Sequence, residues 1–382
     1  MATLAPAAAD DLPALIASML RGDEAARHHG SNDAGAAAFV ACARGHGIAP
    51  LLDARWRGAC TGAAMPGAVR QACHEETVAC AASELGRRNA LRHALAALAA
   101  AGIHPLLAKG AALAYSHYAT PALRPRVDDD LLVTPAETQA AAHILFDLGY
   151  RRVAGPAGAG VGFQVELHRE DRNGITHNVD LHWRISNAQS FAWLLPFEEL
   201  AAASVPVPAL GPYARRLGDV HALLLALMHR VGNNLFVAPG FGDRLIWLYD
   251  IHLLVEAMTD DDLRCFRHCV ERTRVVAIAI EGLRRCAARF GSPRVAALAT
   301  ELESSPVAAS GARLLRAGKL HREWLELCAV PTATSRARYV ASRVFPSRDY
   351  LHERFPDAAD RALPALYARR WLARVRAAVR GR

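Results

Sequence analysis

Asp128 and Asp130 lie two residues apart in the run Arg124-Pro-Arg-Val-Asp-Asp-Asp-Leu-Leu-Val133. In an extended strand, side chains at i and i+2 point to one face, so these two carboxylates converge while Asp129 faces away. Leu131, Leu132 and Val133 follow at once and read as a buried strand, so three mutually repelling charges lead straight into the core. Something must offset that cost. Mg²⁺ is a natural occupant, because it prefers oxygen ligands and is usually shared with substrate phosphates. A third carboxylate, Asp180, stands in Ile175-Thr-His-Asn-Val-Asp-Leu-His-Trp-Arg-Ile185, where Asn178, Asp180, His182 and Arg184 share one face of an alternating strand. Two carboxylates on one strand and a third on a neighbour meet the needs of two-metal phosphoryl or nucleotidyl transfer. One ion activates the attacking oxygen and the other stabilises the leaving pyrophosphate.

Lys109-Gly110 precedes the acidic strand. The chain has 45 basic residues, of which only Lys109 and Lys319 are lysines, so an amine at position 109 stands out. Backbone amides of a glycine turn at a helix N-terminus suit a triphosphate.

The elements that must position these groups follow from periodicity. A helical stretch over 83–101 ends at Gly102, and Ile103-His-Pro-Leu-Leu107 is short enough for a strand. Lys109-Gly110 then opens a helical stretch over 111–118. Thr134-Pro-Ala-Glu137 carries an N-cap Thr, a Pro at the first helical position and a Glu three residues after the cap, and predicts a helix running to Gly149. Two alternating runs, 161–168 and 175–185, flank Asn173-Gly174, which predicts a tight hairpin. From about residue 215 the pattern returns to helix, in 219–229 and 244–255. The fold class predicted is α+β: a helical region over 1–100, a small mixed-sheet core over 101–195, and a helical domain over 196–382 with a basic end.

Composition narrows the classes. With 52% hydrophobic residues the chain reads as globular, and no uninterrupted apolar run reaches the roughly 18 residues that span a membrane. The first twenty residues lack a basic segment before their apolar part and do not read as a signal peptide, so the expected location is the cytoplasm. The eight cysteines show no metal-ligand spacing and read as reduced, buried thiols. The net charge is +8, but residues 361–382 hold seven arginines and no acid, leaving +1 for everything else. A broad nucleic-acid footprint does not fit so neutral a body. The basic end, with Leu366, Trp371, Leu372, Val375 and Val379 among its arginines, is an amphipathic helix that either packs on its own domain or makes a peripheral contact with a membrane surface or RNA.

Three segments, Leu106-Leu-Ala-Lys-Gly-Ala-Ala-Leu113, Leu123-Arg-Pro-Arg-Val-Asp-Asp-Asp-Leu-Leu-Val133 and Val179-Asp-Leu-His-Trp-Arg184, resemble the uncharacterised bacterial nucleotidyltransferase family of the DNA polymerase β-like superfamily. His221, His229 and Arg244-Leu-Ile-Trp-Leu-Tyr-Asp250 resemble that family's helical half, so the likeness covers most of residues 85–255. The resemblance implies a polymerase β-like palm that uses Mg²⁺ or Mn²⁺ to move an NMP from an NTP to an acceptor hydroxyl or phosphate. It implies metal binding by Asp128, Asp130 and Asp180, with Asp180 also a base towards the acceptor. Gly110 becomes the close-approach glycine of a phosphate loop, Lys109 a phosphate contact, Arg124 a neighbour in the same pocket, and His182 a group that orients Asp180 or touches substrate. The acceptor implied is a small molecule or peptide ahead of RNA, in a tailoring step of a peptide or polysaccharide pathway. Two departures stand out: Ala111 replaces the usual serine or glycine, and Asp129 occupies a position that is commonly apolar, where Arg126 can neutralise it. A nucleotide-binding regulatory module without turnover and transfer of a sugar from an activated nucleotide remain open alternatives.

Overall fold

The strand expected at 103–107 begins three residues later, as β1 (Leu106–Ala108). It is an inner strand of the sheet in the computed structural model, which describes residues 12–23, 33–58, 65–153, 162–172, 174–237, 242–346, 348–358 and 362–379. β1 pairs antiparallel with β2 (Asp129–Leu132), which pairs parallel with β5 (Thr176–His182). β3 (Arg151–Arg152) and β4 (Gln164–Glu170) extend the sheet beyond β5, and β6 (Val205–Pro206) and β7 (Arg215–Arg216) extend it beyond β1, giving the order β3-β4-β5-β2-β1-β7-β6. The fold is α+β, a mixed sheet flanked by helices.

Among the described residues four helices precede the sheet: α1 (Leu12–Arg21), α2 (Asp33–Gly45), α3 (Ala49–Gly58) and the 34-residue α4 (Gly67–Ala100). Alanine and leucine, the strongest helix formers, let α4 start well before the 83–101 stretch. Its C-terminal half buries Leu91, Leu95 and Leu98 against Leu107, Leu131, Val179 and Leu181 on one sheet face. Each such leucine contributes about 1.5–3 kcal/mol of apolar burial. Between β1 and β2 runs the short α5 (Lys109–Ala114), and α6 (Thr138–Asp147) follows β2.

The Thr134–Glu137 capping box forms. The Thr134 amide donates to Glu137 Oε2 (3.0 Å), and the Glu137 amide donates to Thr134 Oγ1 (3.3 Å). The turn it closes is the tight i→i+3 kind, with the Glu137 amide also donating to the Thr134 carbonyl, so α-helix proper begins only at Thr138. The tight hairpin predicted at Asn173-Gly174 forms between β4 and β5. Glu170 pairs with Thr176, so five residues connect the strands. Asp171 closes the connection, its Oδ1 accepting from the Ile175 amide (3.0 Å), and Gly174 supplies a left-handed φ of 74°. Asn173 and the Gly- and Ala-rich loop at 154–161 lie outside the described residues.

The other sheet face meets the helical half. After α7 (Gln189–Ala192) and α8 (Phe197–Ala202) come α9 (Asp219–Gly232), α10 (Leu245–Ala257), α11 (Asp260–Arg272), α12 (Val276–Phe290) and α13 (Pro293–Glu303). Leu106, Ala108 and Leu132 share one core with Leu224, Ile251 and Leu283 of these helices and with Ile16, Phe39 and Leu52 of α1–α3. The first helices thus pack on the later ones. The helical stretch Asp219–Val237 is long and apolar enough to cross a membrane, the single such stretch among the described residues. Leu223, Leu224, Leu227 and Met228 within it are buried in the protein's own core, and Arg230, 1% exposed, pairs with Asp243 at 2.9 Å.

Candidate active site

Strand register sets out the site before any side chain is considered. Glu166 of β4 pairs with Asp180 of β5, Asp180 with Asp130 of β2, and Asp130 with Ala108 of β1. Residues paired in register point to the same sheet face. Three carboxylates therefore stand in a row across neighbouring strands, and Lys109, next after Ala108, ends the row with a cation. Asp129 pairs with Val179 one step away and points to the opposite face.

Asp130 is 2% exposed, and its Oδ1 accepts from Lys109 Nζ (2.6 Å) and from His182 Nε2 (2.8 Å). Asp130, Asp180 and His182 place one ligand atom each within 4.8 Å of one another. Asp128 sits just before β2, half-buried, as an outer member of the group. Gln164 Nε2 donates to both Asp180 Oδ2 (3.2 Å) and Glu166 Oε1 (2.9 Å). Asn187 Nδ2 donates to Gln164 Oε1 (2.5 Å), which orients that amide.

The electrostatics are those of crowded carboxylates beside one fixed amine. Burial opposes the charge on Asp130, but Lys109 and His182 outweigh it and hold the carboxyl well below the usual range. Burial likewise opposes the charge on Lys109, yet Asp130, then Asp128 and Asp180, raise its pKa above the usual lysine value. Burial and the Asp130 charge push Asp128 up to about 6, and burial with Asp130 and Asp128 pushes Asp180 up to about 8. Burial and Lys109 lower His182, and they push His229 of α9 down to about 3. Oxygen donors whose ionisation is held back by one another fit a divalent cation.

The raised values carry a sign. Both lie above the ordinary 3.8, so the folded, metal-free chain retains protons that the unfolded chain releases. The stability this represents is complete below that value and is lost as pH rises through about 6 and then about 8. The thermal midpoint of chelator-treated protein should therefore fall across this window, and Mg²⁺ should stabilise the chain more on its alkaline side than on its acid side. Scanning fluorimetry with and without Mg²⁺ reads this directly. A larger Mg²⁺ shift at acid pH contradicts a carboxylate site.

The phosphate-side residues are arranged differently from the sequence expectation. Lys109, expected on phosphate, is engaged by Asp130 and adopts a left-handed φ of 49° at the start of α5. Such a backbone costs of order 1–3 kcal/mol unless its surroundings fix it. A Cβ on Gly110 would lie 3.3 Å from Arg126 Cβ and 3.5 Å from Arg124 Nη1, so this glycine lets the arginine loop cross the turn closely. Arg124 is buried and bound to Asp250 of α10, with Nε donating to Oδ1 (2.8 Å) and Nη2 to Oδ2 (2.7 Å). Tyr118 donates to the same carboxylate (2.7 Å). Arg124 thus first ties the loop before β2 to the helical half.

Asp129 is satisfied on the other sheet face. Arg126 Nε donates to Asp129 Oδ1 (2.8 Å), while its Nη1 (2.5 Å) and Nη2 (3.0 Å) donate to Glu84 of α4. The Tyr115 hydroxyl also donates to Glu84, and the Arg126 guanidinium lies 5.7 Å from the Tyr115 ring. Arg126 neutralises Asp129 as the sequence indicated; Glu84 and Tyr115 had no signal. Gln164 and Glu166 had one, since they fall on the polar face of the 161–168 alternation. His229, which reads in sequence as an ordinary helix residue, brings the helical half to the site. A second group, Glu199, His221 and Cys269, also brings ligand atoms within 4.8 Å, but the Arg272 guanidinium already engages Glu199 and lies 3.8 Å from the Cys269 sulfur.

The sequence model of the uncharacterised nucleotidyltransferase family matches residues 32–291, a stretch that contains every residue of this site. A comparison with curated proteins returned no match.

Proposed function

The chain belongs to the uncharacterised nucleotidyltransferase family, and on that premise we propose that this transferase moves an NMP from an NTP to an acceptor hydroxyl or phosphate and releases pyrophosphate. The observation that carries the reading is the in-register row of Asp180 and Asp130 with Asp128 beside it. These carboxylates would hold Mg²⁺ or Mn²⁺, which when bound supplies charge neutralisation at the phosphates and activates the attacking oxygen.

The chain's own groups account for the rest. Asp180, bonded by half-buried Gln164 and paired in register with exposed Glu166, is the carboxylate we assign to take the proton from an acceptor hydroxyl. His182 holds Asp130 in place, and Lys109 is the amine within reach of the phosphates once Asp130 has another cation. The acceptor oxygen bonds to the α-phosphorus, the bond from that phosphorus to the pyrophosphate oxygen breaks, and the acceptor's proton leaves to Asp180. A small molecule or peptide is favoured as acceptor, because outside residues 361–382 the formal charge is only +1. We place the reaction in the cytoplasm, where NTPs are available.

A second reading, a nucleotide-binding module without turnover, draws on one observation: Lys109 occupies Asp130 Oδ1. One experiment separates the two. The protein is incubated with each labelled NTP, Mg²⁺ or Mn²⁺ and cell extract, and pyrophosphate and labelled acceptor are measured for wild type and Asp128→Ala. Transfer should be present in the first and lost in the second. Equal signals remove the catalytic assignment, and nucleotide-dependent thermal stabilisation without labelling supports the module.

A further inference from the structure

Beyond α13 the chain continues through α14 (Ala312–Arg316), α15 (Lys319–Ala329), α16 (Ala333–Val344) and α17 (Arg348–Arg354) to α18 (Leu363–Val379). The last of these turns an apolar face outward. Pro364, Ala365, Ala368, Trp371 and Leu372 are all exposed, at the spacing i, i+1, i+4, i+7, i+8 that forms one helical stripe. Trp371 is 41% and Leu372 56% exposed. The helix is held in this orientation from its other side. Leu366 is buried, the Tyr367 hydroxyl donates to the Pro346 carbonyl (2.9 Å), and buried Arg370 donates to the carbonyls of Val344 (3.3 Å) and Arg343 (3.1 Å). Rotating the stripe inward would break these contacts.

Charge is concentrated in the same part of the chain. Residues 292–382 hold seventeen basic and eight acidic residues, a net +9 that leaves −1 for residues 1–291. The two exposed tryptophans, Trp324 and Trp371, both lie there too. This is the portion beyond the family match, so the cationic apolar surface is an addition to the site-bearing part.

We infer that the outer face of α18 is an interfacial anchor that lies on an anionic phospholipid surface, its apolar stripe in the acyl boundary and exposed Arg376 among the lipid phosphates. Aliphatic and tryptophan side chains flanked by arginine are the composition of helices that lie in a membrane interface. A second copy of the chain fits less well, because pairing two stripes brings together two segments that each carry seven arginines and no acid over 361–382. A nucleic acid also fits less well: Trp371 alone among the stripe's residues offers a stacking surface, and the net −1 of residues 1–291 extends no phosphate contact beyond the helix. The region is joined firmly to the rest. Glu326 of α15 accepts from the amides of Gln189 (2.6 Å) and Ser190 (3.0 Å) in α7, close after β5.

The test is sedimentation of the full chain with vesicles of pure phosphatidylcholine and with vesicles in which a quarter of the lipid is phosphatidylglycerol. Partitioning should be at least about tenfold stronger on the anionic vesicles, with weakening as salt is raised. The double variant Trp371→Ala, Leu372→Ala should lose about tenfold or more of that binding. Both residues are exposed, so the variant should keep the wild-type thermal midpoint. Arg376→Glu should weaken binding at low salt by a smaller factor and serves as a second variant. Equal sedimentation of wild type and the double variant overturns the inference, as does no preference for anionic lipid. A wild-type dimer that the double variant dissolves overturns it in favour of a second copy, and binding to single-stranded RNA but not to vesicles overturns it in favour of nucleic acid.

Discussion

Asp180→Asn should leave the protein folded and remove its transfer activity, with pyrophosphate release falling by on the order of 10²–10⁴-fold. The two halves of this expectation have separate causes. Asp180 stands beside Asp130 and feels like charges from Asp128 and Glu166 as well, so replacing its carboxylate with an amide relieves repulsion in the metal-free chain. Gln164 Nε2 can still donate to the asparagine oxygen. The thermal midpoint without metal should therefore hold or rise, while the Mg²⁺-dependent shift shrinks. Activity goes because the amide neither accepts the acceptor's proton nor neutralises a cation. Wild-type pyrophosphate release from this variant would remove Asp180 from the reaction.

The largest loss of stability is expected from Asp129→Ala, although Asp129 faces away from the chemistry. It shares the Arg126 guanidinium with Glu84, and the three residues are 6%, 8% and 9% exposed. Removing one carboxylate leaves buried guanidinium donors unsatisfied, and breaking a buried pair from one side costs about 3–5 kcal/mol. Glu84 remains, and burial pushes the Asp129 carboxyl above its usual range despite Arg126, so a value near the lower end, about 3 kcal/mol, is expected. Urea denaturation measures it. The double variant Asp129→Ala, Arg126→Met should be less destabilised than the sum of the two single variants, since the two side chains act as a unit. A single-variant loss within about 0.5 kcal/mol, the range of ordinary surface substitutions, would show that the network bears no weight.

The acidic sheet face was readable because strand alternation is rigid. Once 129–132 and 176–182 are strands, Asp130, Asp180 and His182 have little choice of side, and the same rule gives Asp129 its opposite direction. Glu166 and Gln164 obey that rule as well, but no motif singled them out from an ordinary polar strand face. What stayed hidden depends on which distant residues meet. Nothing in the spacing of Arg124 and Asp250, 126 positions apart, or of Arg126 and Glu84, 42 apart, announces that they pair. The core shared by α1–α3 with α9, α10 and α12 was hidden for a related reason: periodicity shows that a helix has an apolar face, and side-chain shape decides which other helix covers it. The hairpin was legible because Asn-Gly is a strong turn signal, while the closure of its connection by Asp171 was not.

The bond from Lys109 to Asp130 gives the site an occupant of its own. A metal ion arriving at Asp130 would meet a pocket already balanced by an ammonium, so loading becomes an exchange of one cation for another. The displaced amine would stay anchored at the start of α5. Lys109 would become available to a polyphosphate only after such an exchange. Nucleotide recognition would then be conditional on the metal, with the order of binding set by a single side chain.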